Sequence, residues 1–310
     1  EKVFTDAHKV RAKVPVGARA VWAECLTHAL RHVAFYNDEK AWTQFFALPK
    51  MVLGAPNQRG GDGKKKSGPT REVTDKCRSW LAGERASLWL RAPNKGKPRE
   101  PTRPSREELE ARAVELAGEG MLGKAAGVFK GELPAMVSDE STDDMRRKHP
   151  EARDSEFARC DNLRPIAGGA APSLTVDEVL KAIKGCPQGS AGGKSGLKPQ
   201  HLKDALVPGY GDEMVRTITE VATLLASGKA HPSAREWICC ASLTALSKPD
   251  GSLRPIAIGE TLRRLVGKAL AKDASEDFQA YFEPVHVGVG SKGGAEAVVR
   301  TVRKFAARNR

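Results

Sequence analysis

Apolar residues recur at helical spacing along most of the chain, and in one stretch the period shortens to two. Between Val16 and Phe35, the residues Val21, Leu26, Leu30, Val33 and Ala34 fall on one stripe and predict an amphipathic helix. Asn37 or Asp38 suits the cap of a second helix, with Trp42, Phe45 and Phe46 inside and Pro49 as its end. Thr70 to Leu90 is helical, with Val73, Cys77, Trp80 and Leu81 on one side and an interruption near Gly83. Ser105 followed by Glu108 is a capping box, in which each residue satisfies the other's backbone N–H. It opens a helix through Leu109, Val114 and Leu116, and a second segment runs from Met121 to Val128. Thr175 and Glu178 repeat the device ahead of Val179, Leu180 and Ile183. Helices are also predicted from His201, over Met214 to Ser227 (Val215, Ile218, Val221 and Leu225 inside), over Glu260 to Ala280 (Leu262, Leu265, Val266 and Leu270 inside) and from Ala295 to Arg308.

The change of period falls at Ala241 to Gly259, where two short apolar runs flank Pro249-Asp250-Gly251. Proline pre-sets φ for the first turn position, aspartate suits the second, and glycine takes a left-handed third. A three-residue loop sets Lys248 opposite Ser252 and Leu246 opposite Arg254, so that Lys248 and Arg254 share one face of the tip. A four-residue loop sends them to opposite faces. Two cations on one side suit a polyanion such as a triphosphate, lysine as a point charge and arginine as a bidentate fork. The competing reading is a solvated turn with ordinary charges.

Composition narrows the setting. A net charge of +13 and an isoelectric point near 9.5 favour anionic partners: nucleic acid, nucleotide or an acidic membrane surface. No run of eighteen apolar residues is present, which argues against a membrane span, and the sequence shows no secretory signal pattern. Six cysteines in 310 residues are no disulfide framework. Cys239 and Cys240 are expected to be small buried residues in a reducing, intracellular compartment, nucleus or cytoplasm. Asn57 to Thr70, with Lys64-Lys65-Lys66, is a Gly- and Lys-rich loop, and Arg91 to Ser105 is a proline-rich basic linker. With the polar stretch Glu151 to Pro172, these divide the chain into a helical region 1–90, a linker 91–104, a helical region with connector 105–172, and a unit 173–310. The chain opens on Glu1 and closes inside a helical pattern, so it is expected to be a fragment.

Three constellations imitate known chemistry and fall short of it. Cys25, His28 and His32 share a helix face, but a structural zinc site takes four ligands and no Cys-x-x-Cys partner follows. Gly189-Ser190-Ala191-Gly192-Gly193-Lys194-Ser195 differs from a P-loop by one residue, since Gln188 holds the first glycine's place, and a helix rather than a strand precedes it. Asp143-Asp144, the sole Asp pair, lies in a polar tract and is expected to be a helix start or loop, not a metal site.

From Leu246 the residues Leu-Ser-Lys-Pro-Asp-Gly-Ser-Leu-Arg-Pro-Ile-Ala-Ile-Gly run on into Glu260-Thr261-Leu262-Arg263-Arg264-Leu265. This stretch resembles the fingers region of reverse transcriptases of the non-LTR retrotransposon type. Val285-His286-Val287-Gly288-Val289-Gly290 with Gly293-Gly294-Ala295-Glu296-Ala297 resembles that family's next block, and Gly196-Leu197-Lys198-Pro199-Gln200-His201-Leu202 its entry motif. The likeness is strong from about Ser173 onward and weaker before it, where Lys148-His149-Pro150 is similar to a phrase in the family's N-terminal extension. It departs from the family at Lys194-Ser195, where Pro-Asp is usual.

The resemblance implies an α+β fold: a mostly helical N-terminal region, then a fingers-like subdomain with a small antiparallel β-hairpin. It implies RNA template, DNA primer and deoxynucleoside triphosphate as partners, with no membrane partner. Lys248 and Arg254 would hold the incoming triphosphate, and Ile256, Gly288 and Gly290 would border the template or the nascent pair. Arg263, Arg264 and Lys268 make a basic helix beside the hairpin, suited to a template backbone or equally to an ordinary solvated face. Two-metal phosphoryl transfer needs carboxylates holding ions about 4 Å apart. The family's carboxylates lie beyond the helix that here ends at Arg308, so no catalytic or metal-binding residue is expected here. Magnesium belongs to the full-length enzyme. The alternative is a non-catalytic basic nucleic-acid-binding module derived from a decayed element.

Overall fold

The computed structural model describes residues 10–54, 68–90, 105–118, 122–129, 138–148, 172–248 and 250–309. A 3-10 turn at Val16–Ala18 leads into α1 (Arg19–Tyr36), which stops where Asn37 turns left-handed, φ 43°. Asp38 caps α2 (Glu39–Leu53), its Oδ1 accepting from Ala41 N at 2.7 Å. Then come α3 (Pro69–Leu81), α4 (Arg85–Leu90), α5 (Arg106–Gly118), α6 (Leu122–Val128) and α7 (Asp139–Lys148). The second half holds α8 (Val176–Lys184), α9 (Pro199–Asp204), α10 (Gly211–Ala226) and α11 (Arg235–Cys239). Strands β1 (Ala241–Ser247) and β2 (Leu253–Gly259) follow, then α12 (Thr261–Asp273), α13 (Ser275–Phe282) and α14 (Gly294–Arg308). The fold is α+β, mostly helical with a two-stranded antiparallel sheet.

Both capping boxes form. Glu108 N donates to Ser105 Oγ at 3.2 Å and Ser105 N to Glu108 Oε2 at 2.8 Å; Thr175 and Glu178 do the same at 3.3 and 2.7 Å. Of the sequence segments set apart as loop, linker and connector, residues 57–67, 91–104 and 151–171 lie outside the described residues.

The core is one cluster that draws on both halves of the chain. Trp22, Leu26, Leu30, Trp42 and Leu48 from the first half meet Val179, Ile183, Met214, Ile218, Leu262 and Leu265 from the second. Helix α1 lies on α10, α2 and α3, while α8 packs on α10 and α12. The cluster takes in residues on both sides of position 173.

The extended segment before α1 is fastened to α9 by polar contacts. Val14 N donates to Asp204 Oδ2 at 2.8 Å, and Arg19 pairs with Asp204 Oδ1 at 2.7 Å. Lys198 Nζ donates to Val10 O at 3.0 Å, and Trp22 Nε1 to His201 O at 3.0 Å. His201 is fully buried; its Nδ1 accepts from Lys198 N at 3.1 Å, so Nε2 carries the proton donated to Arg11 O at 2.9 Å. Burial pushes the His201 imidazole down to about 4, so the ring is neutral.

Three local expectations are corrected. Pro49 lies within α2 rather than ending it. It forgoes one helical hydrogen bond, but Val52 and Leu53 beyond it are fully buried and Leu53 O accepts from Arg11 N at 2.9 Å. The helix expected over Glu260 to Ala280 is two, α12 and α13, meeting at Ala274, beyond which α13 buries no residue. Cys239 is exposed and Cys240 half-buried, because α11 turns Trp237 and, in part, Ile238 into the core.

Candidate nucleic-acid and nucleotide interface

The hairpin has the three-residue loop. Leu246 pairs with Arg254 and Ser247 with Leu253, Lys248 N donates to Ser252 O at 2.9 Å, and Gly251 N to Lys248 O at 3.0 Å. Gly251 sits at φ +80°, the left-handed position where a Cβ is strained. Pro249 lies outside the described residues. Asp250 locks the tip, its Oδ1 accepting from Ser252 N at 2.9 Å and Oγ at 2.7 Å, and these bonds hold its carboxyl below the usual range. With this register Ser242, Thr244, Leu246 and Lys248 share a face with Ser252, Arg254, Ile256 and Ile258. Three of the residues expected at the site, Lys248, Arg254 and Ile256, thus stand on one side of the sheet. Arg254 is exposed; Lys248 and Ile256 are half-buried.

Two cations of α12 face a different neighbour, the turn that leaves α8. Arg264 Nη2 donates to Ala191 O at 2.5 Å and to Thr261 Oγ1 at 3.1 Å, and Lys268 Nζ donates to Gly185 O. Arg263 Nη1 reaches Cys239 O at 3.3 Å. All three are exposed, so each keeps further N–H donors for solvent or ligand. Two lysines that sequence reasoning did not single out join the same turn. Lys203 Nζ donates to Cys186 O at 2.6 Å, and Lys124 Nζ to Gln188 O and Gly189 O at 3.1 and 2.6 Å. Neither carries a local signal, because each meets the turn only through the tertiary fold.

A buried polar knot ties this turn to the base of the hairpin. Glu260, which follows β2 and precedes α12, is 1% exposed. Its carboxylate accepts from Ser195 N at 2.6 Å and Ser195 Oγ at 2.7 Å, and Ser195 Oγ accepts from Leu197 N at 3.1 Å. Thr261 Oγ1 donates to Leu197 O at 2.6 Å. Burial raises the Glu260 carboxyl, with the serine bonds and the Lys50 charge pulling the other way. A Cβ on Gly193 would lie 2.6 Å from Glu260 Cα, so that glycine is needed for close approach. The P-loop look-alike is thus a packing loop, and Ser195 its anchor.

The remaining expected positions lie elsewhere. Gly288 and Gly290 are exposed in the segment between α13 and α14; Gly288 packs on His286, and Gly290 abuts Ser275 and Gln279 of α13. Asp143 and Asp144 are mid-helix in α7, not at a helix start or in a loop, and pair locally with Arg146, Arg147 and Lys148. Lys148 Nζ also donates to Leu253 O at 2.8 Å, setting α7 against β2. Cys25 is buried, and His28 and His32 stack on each other with centroids 4.5 Å apart. Among the described residues no three His, Cys, Asp or Glu side chains gather as a cation site, and no helix is long and apolar enough to cross a membrane. Compared with protein-family models, curated proteins and solved structures, the chain matches none.

Proposed function

We propose that this chain is the substrate-gripping portion of an RNA-directed DNA polymerase of the non-LTR retrotransposon type. It holds the template backbone and the incoming deoxynucleoside triphosphate, while the metal-binding carboxylates are supplied from outside these residues. The observation that carries the reading is the hairpin register: Leu246 opposite Arg254, with Lys248 two residues on, brings both cations to one face. A lysine and an arginine so placed present a point charge and a fork to a triphosphate tail. Ile256 on the same face supplies an apolar surface for a base pair.

The test is binding of a deoxynucleoside triphosphate to the purified chain with an annealed RNA–DNA primer–template. The combined Lys248→Ala and Arg254→Ala variant is expected to weaken triphosphate binding by about tenfold or more, since each charge-assisted hydrogen bond is worth about 1.5–3 kcal/mol. No primer extension with magnesium is expected from the chain alone. Unchanged triphosphate affinity in the double variant refutes the assignment. The +13 charge favours a second reading, a non-catalytic basic nucleic-acid-binding module derived from a decayed element. That module binds nucleic acid in a salt-dependent way but does not distinguish a triphosphate from other anions.

A further inference from the structure

The turn at 185–191 collects cations from several parts of the fold. Lys268 and Arg264 reach it from α12, Lys203 from α9 and Lys124 from α6, each through a hydrogen bond to a backbone carbonyl. Lys184, the last residue of α8, is exposed and adjoins the turn in sequence. One lysine at a helix C-terminus is ordinary, since it meets the negative end of the peptide dipoles. That accounts for Lys268 on Gly185. It does not account for Lys124 and Arg264, which grip carbonyls beyond the helix from separate elements.

No carboxylate among the described residues forms an ion pair with the cluster of Lys124, Lys184, Lys203, Arg264 and Lys268. The acids of α8 are at its other end, where Lys181 holds Asp177 and Thr175 holds Glu178. A carbonyl engages one N–H of a group that has three, for lysine, or five, for arginine. Lys203 and Lys268 are therefore held at one point and Lys124 and Arg264 at two, and all four keep donors to spare. Like charges gathered in this way repel one another until an anion carrying several charges arrives.

We propose that this turn and its five cations form a docking site for the phosphodiester backbone of a nucleic acid. No aromatic side chain belongs to the cluster, so it grips phosphates and does not stack or read bases. The site is separate from the hairpin face, and the inference rests on the nucleic-acid reading given above.

The probe is fluorescein-labelled oligouridylate, its binding followed by anisotropy over a salt series. One variant combines Lys124→Gln, Lys203→Gln, Arg264→Gln and Lys268→Gln, keeping an amide N–H for each carbonyl while removing the charge. A second, Gln188→Glu, leaves every cation in place and adds a carboxylate among them. The fourfold variant is expected to bind about tenfold or more weaker in moderate salt, and the slope of log affinity against log salt to fall by about 0.7 for each phosphate no longer neutralised. Gln188→Glu is expected to weaken binding several-fold with an unchanged melting temperature. If the fourfold variant fails to fold, Gln188→Glu decides. Unchanged affinity in a folded variant overturns the inference, as does a weakening seen only with phosphatidylserine vesicles and not with oligouridylate. Wild-type protein that fails to bind oligouridylate at low salt defeats the proposed function itself. Unchanged oligouridylate binding in these variants, alongside abolished triphosphate binding in the hairpin variant, defeats this inference alone.

Discussion

Ser195→Ala strikes the knot that holds the 185–196 loop to the base of the hairpin. The hydroxyl serves two partners, Glu260 Oε2 at 2.7 Å and Leu197 N at 3.1 Å. A hydrogen bond to a charged group is worth about 1.5–3 kcal/mol, and an orphaned buried N–H costs about 1–3 kcal/mol. The two share one oxygen and are not additive, so the expected destabilisation is about 3 kcal/mol. In a protein of this size that lowers Tm by about 6–12 °C, at about 2–4 °C per kcal/mol. The penalty must also depend on pH. Burial raises the Glu260 carboxyl, and the serine bonds favour its ionised form. The penalty is therefore full where Glu260 is charged and shrinks as pH falls through its raised range. Urea unfolding of wild type and variant at neutral and at mildly acidic pH measures both effects. A penalty under about 1 kcal/mol, or one equal at both pH values, refutes the role given to Ser195.

His201, pushed down to about 4 by burial, predicts a second pH effect of opposite sign. The unfolded chain takes up the proton near pH 6.5, so stability is full above that and falls by up to about 1.4 kcal/mol per pH unit down to about pH 4; His201→Gln should flatten this slope in urea titrations. Gly251→Ala, at φ +80°, should cost about 1 kcal/mol and reduce triphosphate affinity by loosening the tip, read by thermal melting and nucleotide titration. Thr175→Ala should cost about 1 kcal/mol by removing the cap of α8, whereas Thr175→Asp, which keeps the capping oxygen, should melt within about 2 °C of wild type.

Much of the local structure is legible in the sequence because its causes are local. Ser105 with Glu108 and Thr175 with Glu178 cap helices from three residues away, and Asp250-Gly251 fixes the hairpin register within a single turn. Pro49 misleads because its effect on the backbone is local while the burial of Val52 and Leu53 that overrides it is tertiary. The same holds for the site. Lys248, Arg254 and Ile256 fall on one face by pleat alone. The contacts of Glu260 with Ser195, Lys124 with Gly189 and Asp204 with Val14 join residues 65 to 190 positions apart, and no periodicity announces them. Arg264 and Lys268 are visible as charges on a helix, but the carbonyls they grip are not.

The segment Val10 to Val14, clasped by Lys198, His201 and Asp204, bears on how the chain can be cut. The first helices share one core with α8, α10 and α12. A protease nick in the proline-rich stretch 91–104 should leave two pieces that travel together on a sizing column. The two pieces made separately should find each other when mixed, whereas a version starting at residue 105 would be left with an open wound where Trp22 and Trp42 belong.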